Sequence, residues 1–163
     1  MNILFVHQNM PAQFKHVAPA LAAIPGNRVA FLTRNCRMAL PGVRAVTYEA
    51  PRGTGAKVHA YLRRFEDAVL HGQQVVRAIL KLKKSGFKPD LVIGHSGWGE
   101  TLFIKDVLPD VPLILFAELS YRGRGLDVGF VYRSPLDPKD LTFADLGRHS
   151  YVLAMPKKHR LGT

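Results

Sequence analysis

Cysteine occurs once in the 163 residues, at Cys36. An internal disulfide and a zinc knuckle of several thiolates are therefore excluded, and a reducing compartment is expected. Acidic residues are scarce: 12 Asp and Glu stand against 23 Lys and Arg, a net charge of +11 at pH 7. That surplus favours an anionic partner (nucleic acid, acidic lipid or a phosphorylated ligand) and says nothing about fold. No apolar run approaches the roughly 18 to 20 residues that cross a bilayer. No basic segment precedes the short apolar stretch at the N-terminus, which reads as a strand and not as a signal peptide. A cytoplasmic protein is the expectation. Repeats and low-complexity tracts are missing, and so are G-x-G-x-x-G and G-x-x-x-x-G-K-[ST] after any strand. A dinucleotide fingerprint and a P-loop are thus not expected. The serines lack a nucleophile elbow and Cys36 has no flanking His, which leaves nucleophilic hydrolysis without support. No His, Cys and carboxylate set shows ligand spacing, so no metal is expected.

What is present is a globular composition, 47% hydrophobic and 21% charged, with a mean hydropathy of +0.01. It suits one domain with a real core and is too short for two full ones. Residues 3–6 are a continuous apolar run of the kind buried on both faces of a parallel sheet. Asn9 reads as an N-cap and Pro11 as a first-turn residue of a helix carrying Phe14, Val17, Ala18, Leu21 and Ala22. Pro25, Gly26 and Asn27 break it. Strands follow at 29–33 and 43–48. A long helix over 57–84 carries an apolar stripe of Val58, Leu62, Phe65, Val69, Val76 and Leu80. Gly72 and Gln73 interrupt it, which allows a kink or a close helix contact. Arg63, Arg64, His71, Arg77, Lys81 and Lys84 cover its other side, and Gly86 ends it. A fourth strand at 91–93, a glycine-rich loop at 94–99, a short helix from Glu100 to Leu108 and a fifth strand at 113–117 complete the pattern. Strands alternating with helices, without hairpin signals, imply an α/β Rossmann-like open parallel sheet, order 3-2-1-4-5, with helices on both faces. Beyond Glu118 only 151–154 reads as a strand, and 157–160 as a solvated basic tail.

In such a sheet ligands bind beyond the carboxyl ends of the strands, where the strand order reverses. That crevice lies between the first and fourth strands, which end near His7 and His95. Two histidines facing one crevice suggest acid–base or positioning chemistry; the plainer reading is that each bonds loop backbone at a strand end. The loop of Gly94, His95, Ser96, Gly97, Trp98 and Gly99 opens into a helix. It suits close backbone approach to a ligand, or simply a tight turn that needs glycine dihedrals. Ser96, or Gly97 with Glu100 at the third position, would cap that helix. Glu118, at the fifth strand's edge, is either an acid, base or hydroxyl acceptor, or an ion-pair partner of Arg122 or Arg124. The basic face of the long helix is either solvated or docks on anionic lipid or a phosphorylated ligand. Nucleic-acid binding would want aromatics among those basic residues, and the expected exposed side of the helix offers none.

Residues 1–16, 61–69 and 90–103 together resemble the N-terminal part of bacterial glycosyltransferases of family 4. The most specific part is the G-H-x-G-W-G-E-T block of Gly94, His95, Gly97, Trp98, Gly99, Glu100 and Thr101, and 127–130 looks like the family's segment after the fifth strand. The resemblance covers 1–130; residues 131–163 match nothing in it and are expected to be an irregular extension with no second domain. It implies a GT-B enzyme, with two Rossmann-like domains and the active site between them. The N-terminal half holds the acceptor and a C-terminal half the nucleotide-sugar donor. On this analogy the chain is an acceptor-binding half, inactive alone, that binds no cofactor itself and belongs to a hexosyltransferase using a nucleotide-sugar. His95 becomes the catalytic candidate. His7, Gln8, Asn9, Gln13, Gly94, Ser96, Gly97, Trp98, Gly99, Glu100 and Glu118 become the acceptor-site candidates. The implied partners are the donor-binding domain, a sugar or lipid-linked acceptor, an anionic inner-membrane surface and a second copy on an unpartnered face, with no nucleic acid. Two other readings stay open: a non-catalytic Rossmann-like module for a phosphate or nucleotide ligand, and a basic nucleic-acid-interaction protein.

Overall fold

The computed structural model describes residues 1–116 and, beyond them, the strands Val128–Tyr132, Leu141–Asp145 and Tyr151–Pro156. Three strands carry the centre: β1 (Asn2–Val6), β3 (Arg28–Thr33) and β6 (Leu91–His95). After their first residue all three are buried throughout, which is why they read as unbroken apolar runs. β5 (Val43–Thr47) lies at one edge and stays largely exposed, and β7 (Leu113–Phe116) lies on the other flank. β1 runs parallel to both β3 and β6, with Ile3 opposite Val29 and Leu91. The order is β5-β3-β1-β6-β7. The five strands read from the sequence are neighbours in the expected succession, and only the labels shift. Two-residue strands β2 (Asn9–Met10) and β4 (Asn35–Cys36), not foreseen, pair with each other beside the main sheet.

The sheet continues past the expected fifth strand. β8 (Val128–Tyr132) joins β7 in parallel, then β10 (Tyr151–Pro156) and β9 (Leu141–Asp145) add on antiparallel. Where an irregular extension was expected from 131, the described segments are therefore strands of the same sheet. The strand expected at 151–154 is the core of β10, whereas 128–132 and 141–145 were not read as strands.

Helices cover both faces. α2 (Arg63–Lys84) and α3 (Ile104–Val107) pack Val75, Ala78, Ile79, Leu82 and Ile104 against Leu4, Val6, Leu32 and Val92. On the other face α1 (Val17–Ala22) and the 3-10 turn Ala12–Phe14 place Ala18 and Phe14 over Ile3, Phe5, Phe31 and Ile93. Three local expectations change. Asn9 is a strand residue, not a helix cap, because its backbone is taken up by pairing with Asn35. The helix expected from Glu100 is a set of turns until Ile104. The buried face of α2 is Leu70, His71, Gly72, Val75, Ala78, Ile79 and Leu82, whereas Leu62, Phe65 and Leu80 of the expected stripe are exposed.

Gly72 explains that rotation. A Cβ there would meet Gly99 O and the Phe103 ring at 2.8 Å, so its absence lets the segment after β6 lie directly on the helix, which runs through without interruption. Gly99 is the reciprocal partner: its φ is +97°, and a Cβ would collide with the Ala68 backbone. Gly72→Ala would gain about 1 kcal/mol of helix propensity but is expected to lose stability by a net ~1–2 kcal/mol through overpacking. Gly99→Ala adds left-handed strain to a backbone clash and is expected to cost more, about 3 kcal/mol. Urea unfolding of both variants against the wild type measures the order.

Candidate functional site

Alternation along the strands decides where the histidines point. His7 continues the face of Ile3 and Phe5, and His95 continues that of Ile93. The β1–β6 register pairs Val6 with Gly94, and one further step sets His7 beside His95. Their ring centroids are 5.2 Å apart at an interplanar angle of 74°, and both rings are buried. Phe14 meets His7 edge-on at 6.3 Å, and Phe116 stacks on His95 at 5.9 Å. Each imidazole Nδ1 accepts the backbone N–H two residues on: Asn9 N–H to His7 at 2.9 Å, Gly97 N–H to His95 at 3.0 Å. The neutral rings therefore carry their protons on Nε2. The crevice geometry and the backbone-bonding reading are both present at once.

An open cavity of about 550 Å³ lies beyond β1. Its wall is the loop from His7 to Gln13, with Gln8, Asn9 and Gln13 as polar side chains, and Trp98 and Arg37 also line it. The loop is held from behind. The Gln8 carbonyl accepts from the Thr33 hydroxyl at 3.0 Å and from the backbone N–H of Asn35 at 2.8 Å. The Asn35 amide donates to Asn9 Oδ1 at 3.0 Å, and Arg37 N–H to the Met10 carbonyl at 3.0 Å. Ala12 sits at φ +45°, an uncommon conformation for a residue with a Cβ that this scaffold imposes. The loop from His7 to Gln13 was expected by family analogy to line the cleft, whereas Arg37 was not among the expected site residues. The rule that sites gather at strand carboxyl ends applies to Arg37, just past β3, but nothing marks it out from the other arginines of that loop.

The glycine-rich segment divides. Trp98 is half exposed and reaches the cavity, while His95 stands behind His7 without lining it. Gly97 is spent on the imidazole, since a Cβ there would lie 2.7 Å from His95 Cε1; at Gly94 it would lie 2.6 Å from Thr101 Cγ2. Ser96 donates its N–H to the Phe116 carbonyl at 3.4 Å. The smallness of Gly94, Gly97 and Gly99 thus serves protein contacts. Glu118 lies outside the described residues.

Glu100 does not face the cavity. It is 1% exposed, under α2, where the Tyr48 hydroxyl donates to its Oε1 at 3.0 Å and His71 Nδ1 stands 4.0 Å away. Burial raises the carboxyl above its ordinary 4.5, against the opposing pull of a backbone hydrogen bond, the Tyr48 hydroxyl, His71 and Arg34. Burial, then the Glu100 charge, holds the Tyr48 phenol well above its usual range. Sequence reasoning placed His71 on the solvated side of the helix; the structure buries it beside this carboxylate.

A raised carboxyl means that the folded state holds the proton more tightly than the unfolded one, so stability falls as pH rises above 4.5. Glu100→Gln keeps an acceptor for Tyr48 and removes the charge. It is expected to match the wild type below the ordinary carboxyl value and to gain on it steadily above, read as the difference in urea midpoints at about pH 4 and about pH 8.

The sequence pattern of the glycosyl transferase family 4 group matches residues 25–158. That span includes 131–158, which the resemblance read from the sequence left unmatched. No curated protein matches the chain. Among solved structures, apo UGT2 of Phytolacca americana aligns at 11% identity with a TM-score of 0.45, over 73% of this chain and 30% of its own. At that score the likeness supports nothing further, and the chain spans less than a third of that protein's length. The family match covers most of the sequence: this chain belongs to the glycosyl transferase family 4 group.

Proposed function

We propose that this chain is the acceptor-binding part of a glycosyltransferase that moves a sugar from a nucleotide-sugar to a hydroxyl of its acceptor. The carrying observation is the cavity at the β1–β6 switch point, in a chain of this family, with amide side chains on one wall and a half-exposed indole as well. Amides supply paired donors and acceptors for hydroxyl groups, and an indole face suits the apolar side of a sugar ring. In the transfer the acceptor oxygen bonds to the anomeric carbon as the bond to the nucleoside diphosphate breaks, and the hydroxyl proton passes to the departing diphosphate. His7 Nδ1 accepts the Asn9 N–H, which assigns the neutral ring's proton to Nε2, so its part is to orient the acceptor oxygen and not to take its proton. His95 supports the His7 ring from behind and is a positioning residue. The donor's contacts belong, in this reading, to a second domain of the GT-B type, and the chain by itself is inactive. The reading includes a bacterial, cytoplasmic enzyme drawn by its +11 charge to an anionic inner-membrane surface where a lipid-linked acceptor would lie.

Trp98 is the single tryptophan and lines the cavity, so its emission reports occupancy directly. Titration with free saccharides is expected to shift it saturably, and Gln13→Ala to weaken binding about fivefold, the worth of one hydrogen bond. Silence toward saccharides combined with micromolar binding of free nucleotide would replace this reading with a nucleotide-binding module.

A further inference from the structure

Seven consecutive residues, 59–65, are exposed where the 3-10 turn Ala60–Leu62 leads into α2. Three of them are large and apolar: Tyr61 is 91% exposed, Leu62 56% and Phe65 67%. Tyr61 and Phe65 are four apart and Leu62 and Phe65 three apart, so the three form one ridge on the helix surface. A contiguous exposed apolar ridge on a folded domain marks a surface that something covers. Its charges say what. Lys57, Arg63 and Arg64 are exposed beside it, and among the described residues neither arginine forms an ion pair. The nearby carboxylates are turned elsewhere: Glu66 accepts from Arg52 at 3.1 Å and from Gly55 N–H at 3.0 Å, and Asp67 stands 3.9 Å from His71 Nε2. An apolar crest flanked by uncompensated guanidinium groups complements a bilayer with anionic head groups. Single-stranded nucleic acid would also accept arginine and aromatic side chains, but it needs a basic groove to follow, and this ridge is convex with Leu62 at its centre.

We propose that residues 59–65 are a membrane-docking edge: Tyr61, Leu62 and Phe65 enter the head-group boundary of an anionic bilayer while Arg63 and Arg64 take lipid phosphates. This deepens the membrane part of the proposed function and rests on it. The ridge connects to the candidate site through the segment after β6. Ala68, one turn along α2 from Phe65, packs against Gly99, and the neighbouring residue Trp98 lines the cavity. Docking through this edge would hold the cavity mouth at the lipid surface, within reach of an acceptor carried on a lipid phosphate.

Sedimentation with large unilamellar vesicles tests it, comparing pure phosphatidylcholine with phosphatidylcholine containing phosphatidylglycerol. The wild type is expected to pellet with the anionic vesicles only. Tyr61→Ser with Phe65→Ser is expected to lower partitioning about tenfold or more, and Arg63→Gln with Arg64→Gln about thirtyfold, from the usual worth of two surface arginines. Ile24→Ser, at a half-exposed apolar position just past α1, should pellet like the wild type. Far-ultraviolet circular dichroism of each variant confirms that it is folded. If the aromatic variant binds as well as the wild type, the edge is wrong and a membrane attraction by net charge survives. If the wild type stays in the supernatant with both vesicles, edge and membrane reading fall together, and the sugar titration of Trp98 still decides the glycosyltransferase reading. Saturable capture of a single-stranded oligonucleotide, or a dimer that the aromatic variant dissolves, would likewise overturn the proposal in favour of those occupants.

Discussion

Parallel pairing of β1 with β6 is the constraint on which the site depends. Because side chains alternate along each strand and the register is shared, one step past Val6 and Gly94 brings two imidazoles together at the carboxyl end of the sheet. A one-residue slip would send one ring to the opposite face and dismantle the pair. Both strands are buried on two sides, so such a slip would also exchange the side chains fitted to the two opposite core layers. The site's geometry is thereby underwritten by the same burial that stabilises the fold. The two Nδ1 contacts then tie each ring to the turn that follows it, and the loop of residues 7–13 becomes a fixed wall.

A second constraint works on the other side of the sheet. Gly72 and Gly99 let the segment after β6 lie against α2 at backbone distance. Next to that contact, Glu100 is withdrawn from solvent and bonded to Tyr48. The G-H-x-G-W-G-E-T block therefore performs two tasks with one stretch of chain. His95 and Trp98 serve the cavity side, while Gly99 and Glu100 anchor the same segment to the helix.

The sheet order and the meeting of His7 with His95 were legible because they follow from short rules: apolar runs, helical spacers, crossover handedness and the switch point. His7 followed from the same rules, whereas Gln8, Asn9, Gln13 and Trp98 were acceptor-site candidates through the family resemblance; all five line the cavity. Glu100 could not, since a carboxylate next to a glycine-rich turn looks the same whether it faces a ligand or a buried tyrosine. Arg37 was hidden among other loop arginines. The face of α2 was misread because two apolar stripes, offset by about one residue, fit the helical period equally well. Gly72 breaks the stripe that was chosen, and its small size is what turns its own side inward.

The amino-acid sequence by itself determined the α/β class, the succession of the five parallel strands and the rim on which functional side chains gather, because local periodicity and chain connectivity are properties of the chain alone. Tertiary structure decided which face of α2 is buried, that Glu100 and His71 lie inside, that Tyr61 and Phe65 lie outside, and that the sheet goes on through β8, β10 and β9. Those outcomes depend on which distant surface arrives first at a given side chain, and close packing admits only one such neighbour.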